Sequence, residues 1–242
     1  MIKVCYNNEN NMNKYAFWEK KMEKLKNSSY KYCFIPVLIM FLINTITYSG
    51  TKLLTDTTRY HYDISLPIDS ELPFVPAFIV IYVLSYLQWV VGFGLIARQS
   101  KEVCYRVISS EIVAKIICFI IFIVLPTSFN RPEITDTGIF ASLTKIIYAL
   151  DTPTNLFPSV HCLESWILFR TAHEITQHKK WLVPAWLIFV LLVFASVLLV
   201  KQHLILDIPA AIIVSEIGLF VGKKFKTGRI FEKINYKFWK GE

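Results

Sequence analysis

The sequence has no C-x-x-C pair. Its five cysteines, Cys5, Cys33, Cys104, Cys118 and Cys162, are scattered, so their spacing supports neither a disulfide framework nor a thiolate metal site. No H-E-x-x-H occurs either. Charge is scarce: 18% of the 242 residues are charged while 54% are hydrophobic. The mean hydropathy is +0.45. Both depart from soluble averages in the direction that long apolar stretches produce. There is no internal repeat and no low-complexity segment, and the connections are too short for a separate soluble domain. Helices broken by Gly or Pro in matched halves are missing too, which counts against a transporter.

What is present is a series of apolar runs. A window of about 19 residues, enough to cross roughly 30 Å of hydrocarbon, finds six of them, near 33–49, 75–96, 107–125, 160–177, 181–200 and 203–222. The expected fold is an all-α integral membrane protein, a bundle of six transmembrane helices over 33–222. The fourth run is interrupted by Glu164, Ser165, Arg170 and Thr171, and its polar face suggests burial within the bundle.

Orientation follows from the basic residues. If residue 1 is cytoplasmic, segments 1–32, 97–106, 170–180 and 223–242 hold seven, three, three and seven Lys and Arg, 20 of the 26. The opposite side holds Lys52, Arg59, Arg131, Lys145 and Lys201, and Lys115 falls inside a run. The positive-inside rule then puts both termini in the cytoplasm, with the plasma membrane as the expected location. The net charge of +8 is mostly this topology signal. In K-K-F-K and Y-K-F-W-K the basic residues interleave with aromatic ones beside a span, so the expected partner of the 223–242 tail is anionic membrane lipid, not nucleic acid. The 1–32 leader has the same character between Lys14 and Lys26 and is too polar for a signal peptide's apolar core. It reads as a surface-lying amphipathic helix or as a solvated leader.

Just before the fourth run, residues 155–161 read N-L-F-P-S-V-H. A helix start explains this without chemistry, with Pro158 at a turn, Ser159 as the capping hydroxyl and His161 at the interface. The topology adds a second reading. His161 falls at the outer start of run four, K-Q-H-L-I-L-D puts Lys201, His203 and Asp207 at the outer junction of runs five and six, and Arg131 lies in the outer connection 126–158. Ionisable residues at membrane depth are costly, so clustering at one face points to a site. If 203–207 is helical, His203 and Asp207 share a face, and the carboxylate can accept the ring N–H and stabilise the charge the imidazole gains. His161 then supplies the acid for a departing oxygen. Arg131 and Lys201 would hold phosphoryl oxygens, with Ser159 and the backbone N–H groups around Val160 completing a cradle.

F-P-S-V-H at 157–161, followed by S-V-L-L-V-K-Q-H-L-I-L-D at 196–207, resembles the second and third signatures of the type-2 phosphatidic acid phosphatase and vanadium haloperoxidase superfamily, and Arg131-Pro132 resembles the end of the first. The likeness extends over about 33–222. It implies the six-helix fold, an outward-facing site and a metal-independent lipid phosphate phosphatase or phosphotransferase without cofactor. It also implies that His203 attacks phosphorus, Asp207 orients it and His161 protonates the leaving group. The sequence departs from the pattern at Val124, Val160 and Val197, where Lys, Gly and Arg are usual. D-T-P-T-N-L-F-P-S-V-H and K-Q-H are more similar to the inositol phosphorylceramide synthase branch, which leaves open the lipid and whether water or an alcohol accepts. Lys201 is the residue expected to replace the missing charge.

Other constellations have plainer readings. His161, His203 and Asp207, with Glu164 one turn from His161, have the types of a metal site, but the phosphate-holding cations would repel a dication. Glu111 and Lys115 read as an internal ion pair. His61, Asp63, Asp69 and Glu71 read as a solvated outer loop, and His173 and His178 fall on the cytoplasmic side. The competing class is a small transporter or lipid-binding scaffold.

Overall fold

A computed structural model describes residues 30–55, 60–176 and 180–240. Every regular element in them is helical, with two isolated bridges, Tyr62 to Thr127 and Ser128 to Thr154. The expected amphipathic leader falls almost wholly outside the described residues, as does His178.

The first apolar run is helical beyond its expected end near 49. Helix α1 (Lys31–Thr45) passes through a π turn, Ile46–Gly50, directly into α2 (Thr51–Thr55). Its last part is rich in hydroxyls, which turn back onto the carbonyls four residues earlier: Thr45 Oγ1 to Phe41 O at 3.0 Å, and Thr55 Oγ1 to Thr51 O at 3.0 Å. Polar side chains satisfied in this way do not stop a helix. The extension carries Lys52, expected in an outer loop, on a helix one turn after Tyr48.

The short α3 (Pro67–Glu71) and a 3₁₀ turn, Pro76–Phe78, lead into α4 (Ile79–Ala97). Ser100 caps α5 (Lys101–Val124), its hydroxyl accepting from Val103 N at 3.3 Å. The connection 126–158 contains an apolar helix that had no counterpart among the six runs, α6 (Ile139–Leu150). Then follow α7 (Val160–Arg170), the single turn α8 (Ala172–Ile175), α9 (Leu182–Leu199), α10 (Asp207–Lys224) and α11 (Arg229–Lys240).

Four of these stretches are long and apolar enough to cross a membrane: Lys31–Thr55, Pro76–Ala97, Lys101–Val124 and Leu182–Leu199. The other two expected spans are helical but different in kind. Helix α7 has 11 residues, about 16 Å of rise against roughly 30 Å of hydrocarbon. Helix α10 carries Asp207, Glu216, Lys223 and Lys224 among its 18 residues.

Small residues set the tightest crossings. A Cβ on Gly222 of α10 would lie 2.0 Å from Ser110 Oγ of α5, and one on Gly218 would lie 2.6 Å from Ser110 O. A Cβ on Gly92 of α4 would meet Leu168 of α7 at 2.6 Å. Close backbone approach of this kind is how helices associate where the surroundings are as apolar as the helix. It leaves α7 enclosed by α4, α9 and α10, with Leu163, Ile167 and Leu168 fully buried.

Of the polar residues of the fourth run, Glu164, Ser165 and Thr171 are buried as expected, whereas Arg170 is exposed and pairs with Glu216 of α10. Lys115 Nζ lies 2.7 Å from Glu164 Oε1 and 2.8 Å from Asn44 Oδ1, but 3.9 Å from Glu111 Oε1. The tight partner of Lys115 is therefore Glu164 on α7, and Glu111 is the looser one. An α5–α7 ion pair at this depth fixes the two helices against each other, since breaking it would strand a buried charge.

Candidate active site

Helices α7 and α10 start side by side. Ser159 is the N-cap of α7, its hydroxyl accepting from Cys162 N at 3.4 Å, and its own N–H donates to Asp207 O at 3.3 Å. Between α9 and α10 the chain turns sharply, with Lys201 at φ +53. Gln202 N and His203 N both donate to Val197 O, at 2.9 and 3.0 Å, which holds this turn on the end of α9.

His203 therefore lies in a turn and not in the helix that would put it on one face with Asp207. It meets Asp207 because Asp207 opens α10 and its carboxylate folds back over the turn. Asp207 Oδ2 accepts from Leu204 N at 2.9 Å and lies 3.0 Å from His203 Nδ1. The same Nδ1 is 3.1 Å from Leu156 O. A carboxylate and a carbonyl can only accept, so the proton sits on Nδ1 and the lone pair is on Nε2. His203 is thus held as the tautomer whose outer nitrogen can attack.

His161, in the first turn of α7, faces it. The two ring centroids are 5.9 Å apart. His161 is stacked on Tyr82 at 4.3 Å between centroids and flanked by Trp89 at 4.9 Å and Tyr86 at 5.1 Å, and its Nε2 has no hydrogen-bond partner. Both histidines line a cavity of about 380 Å³, with Tyr86, Trp89, Leu150 and Leu156 as apolar wall and Gln202 and Asp151 as polar edge.

Arg131 reaches the same edge. Nη1 donates to Asp151 O at 2.5 Å, Nη2 donates to Gln202 Oε1, and the guanidinium lies over Tyr148, 4.6 Å from its centroid. Burial draws its pKa below the ordinary value, with Asp151 opposing. Because Arg131 occupies Gln202 Oε1, the other end of that amide is its NH₂, and Gln202 Nε2 and Arg131 Nε are both buried donors without a partner. Stranding a buried donor costs about 1–3 kcal/mol, so two together invite an acceptor.

Lys201 does not join Arg131. Its Nζ donates to Asp69 O at 2.8 Å and Leu72 O at 2.7 Å, on the far side of the turn. Lys201 lines a neighbouring cavity of about 460 Å³, which His203 also borders, while Gln202 lines the first; its ammonium is tied to the backbone of α3 and of Leu72 just after it, away from Arg131. Asp69 is not a solvated loop residue: it is buried, with Oδ1 accepting from Ile205 N and Oδ2 from Leu66 N, both at 2.8 Å. Asp63 and Glu71 are exposed as expected. Val160 lines the cavity, whereas Ser159 is fully buried behind it with its hydroxyl used in the cap.

Three residues, Tyr48, Lys52 and Asp151, form a group beside the cavity that the sequence reading did not join. Asp151 accepts from the Tyr48 hydroxyl, and Lys52 Nζ lies 3.0 Å from Asp151 Oδ1 and 2.9 Å from Tyr48 Oη. Burial pushes the Asp151 carboxyl up, but the Tyr48 hydroxyl and the Lys52 ammonium outweigh it and hold it below the usual carboxylate range. The D-T-P-T-N run was visible, but Lys52 is 99 residues away, and no spacing rule joins them. Glu164 points to Lys115, and among the described residues no three His, Cys, Asp or Glu side chains converge as a metal site would require. Glu174, beside His173, pairs with Arg106 near the start of α5, at the other end of that helix from the cavity.

No family model, curated protein or solved structure matches the chain. The chemistry of the site therefore rests on its own geometry.

Proposed function

We propose that the chain is a membrane lipid phosphatase or phosphotransferase that cleaves a phosphoester of a lipid phosphate through a phosphohistidine on His203. The observation that carries this reading is the fixed tautomer: two acceptors on Nδ1 leave Nε2 as a lone pair in a cavity shared with a second imidazole. His203 Nε2 attacks phosphorus while the P–O bond to the lipid breaks, and protonated His161 gives its proton to the departing oxygen. Asp207 stabilises the positive charge that His203 gains. Water or an alcohol then attacks phosphorus, His161 takes back a proton, and the P–N bond breaks to restore His203. The two unpartnered donors, Arg131 Nε and Gln202 Nε2, suit phosphoryl oxygens. The aromatic and aliphatic wall suits the apolar part of a lipid.

This chemistry agrees with the resemblance to the type-2 phosphatidic acid phosphatase superfamily. On the same reading α7 and α10 complete a six-helix membrane bundle, with the cavity facing outward and both termini cytoplasmic. The alternative, a non-enzymatic transporter or lipid-binding scaffold, is favoured by one observation: three ionisable side chains, Lys115, Glu164 and Glu111, are buried together among apolar helices, where such groups are costly. Phosphate release from a panel of lipid phosphates by the purified protein, with and without EDTA, separates the two. The proposal expects release that survives chelation and is inhibited by vanadate, a mimic of five-coordinate phosphorus. A protein that binds these lipids without turning any over would support the alternative.

A further inference from the structure

At the far end of the bundle from the two histidines is a second polar cavity, of about 580 Å³. Helix α10 runs from Asp207, beside His203, to Lys224. Its rise of about 1.5 Å per residue puts the cavity roughly 25 Å from the candidate active site. The lining includes Arg106 of α5, Lys223 of α10, Lys226 in the turn that follows, Arg229 of α11, and the carboxylates Glu102 and Glu232. Arg106 is already paired, its Nη2 donating to Glu174 Oε1 at 2.6 Å. Among the described residues Lys223, Lys226 and Arg229 form no ion pair, and neither do Glu102 and Glu232. Three cations against two carboxylates leave one positive charge in excess, which matches the single negative charge of a phosphodiester.

The walls are built tightly. Lys226 has φ +50, and Thr227 Oγ1 bonds Ser109 Oγ at 2.8 Å. A Cβ on Gly228 would sit 2.9 Å from the Tyr105 backbone, so only glycine lets the turn approach α5 this closely. Asn235 then docks α11, its Nδ2 donating to Tyr105 Oη at 2.9 Å and Tyr32 O at 3.1 Å. Phe231 is buried, while Phe225, Ile230, Tyr236 and Phe238 remain exposed among the basic residues. Exposed aromatic and aliphatic side chains beside lysines at the end of apolar helices are the composition of the bilayer interface, where an acyl chain meets its headgroup.

We infer that this junction of α5, α10 and α11 is a binding site for the phosphodiester headgroup of an anionic membrane phospholipid, separate from the site of turnover. Lys223, Lys226 and Arg229 hold the phosphate, and the exposed apolar side chains of α11 lie along the acyl chains. Each Lys or Arg near an anionic lipid surface contributes about fivefold in association, so replacing all three weakens binding roughly 100-fold.

The test uses the full chain in neutral detergent, with native mass spectrometry counting bound phosphatidylglycerol, phosphatidylcholine and glycerol 3-phosphate. All proteins carry His203→Ala, so turnover and its failure play no part. The expected result is saturable retention of phosphatidylglycerol that falls about 100-fold in Lys223→Gln/Lys226→Gln/Arg229→Gln. It should be restored by Lys223→Arg/Lys226→Arg with Arg229 intact, and barely change in Lys233→Gln/Lys237→Gln, whose side chains do not line the cavity. Equal loss in the Lys233/Lys237 variant would replace the site with diffuse surface charge. Binding of glycerol 3-phosphate as tight as the lipid would mean a free-phosphate site, and equal retention of phosphatidylcholine would remove the charge recognition. Any of these overturns the inference. Thermal melts of each variant identify loss through misfolding, and the Arg variant keeps the charge test in a folded protein.

Discussion

Removing the proton of His161 without removing its ring isolates what that residue does. His161→Ala would mix two effects, because the ring is buried against Tyr82, Tyr86 and Trp89. Truncating a buried aromatic to Ala costs about 3–5 kcal/mol in packing alone. His161→Phe keeps a ring against Tyr82 and deletes only the acid and base. General acid catalysis is worth about 10²–10⁴-fold, or roughly 2.7–5.5 kcal/mol in the barrier. That loss should appear in full for a lipid phosphate, whose alkoxide leaves poorly without a proton. An aryl phosphate, whose phenolate leaves unaided, should lose less than about tenfold in the first step. Rapid-quench single turnovers with both substrates read the two barriers, and a thermal melt checks that the fold is intact. Equal loss on both substrates in a well-folded variant, or no loss on the lipid, would refute the assignment of His161 as the acid.

Four other outcomes are expected. Arg131→Gln should lower kcat/KM about 10–100-fold, because a hydrogen bond from a charged donor is worth about 1.5–3 kcal/mol. Lys201→Met, which only unties Asp69 O and Leu72 O, should lower the melting temperature and leave kcat/KM within a few-fold. Asp151 is held below its ordinary range, so its contribution to stability is present above the unfolded carboxylate value of about 3.9 and is lost as pH falls through the lower folded value. Lys52→Met removes one of the groups that depress it, and the acid limb of a melting-temperature profile should move to higher pH; an unmoved limb would show that the pair carries no linkage. A cysteine introduced at Thr137 should react with an impermeant thiol reagent on intact cells and one at Lys233 should not, and the reverse pattern would put the cavity on the cytoplasmic side.

The helical class and the positions of the apolar helices were legible because a bilayer leaves little choice of backbone: runs of apolar residues satisfy their amides internally. Helix α6 was not, since 12 residues are too few for a window of about 19. The residues that meet in the cavity were partly legible. His203 and Asp207 are four apart, and their approach survives although the stretch is a turn, because Asp207 sits at the first position of α10 and folds back. Lys201 stays apart from Arg131 because its ammonium bonds the carbonyls of Asp69 and Leu72, about 130 residues earlier, which adjacency to Gln202 and His203 does not reveal. Lys52, Tyr48 and Asp151 were invisible for the converse reason: they are far apart along the chain and joined only by packing.

The most direct test of the central claim is to look for phosphate on His203 itself. Purified protein is mixed with labelled phosphatidic acid, denatured within milliseconds at alkaline pH, and mapped by peptide mass spectrometry. The expected result is an acid-labile, base-stable phosphate on His203 that forms and decays at the rate of turnover and is absent from His203→Ala. Label on another residue, or undiminished turnover by His203→Ala, would contradict it.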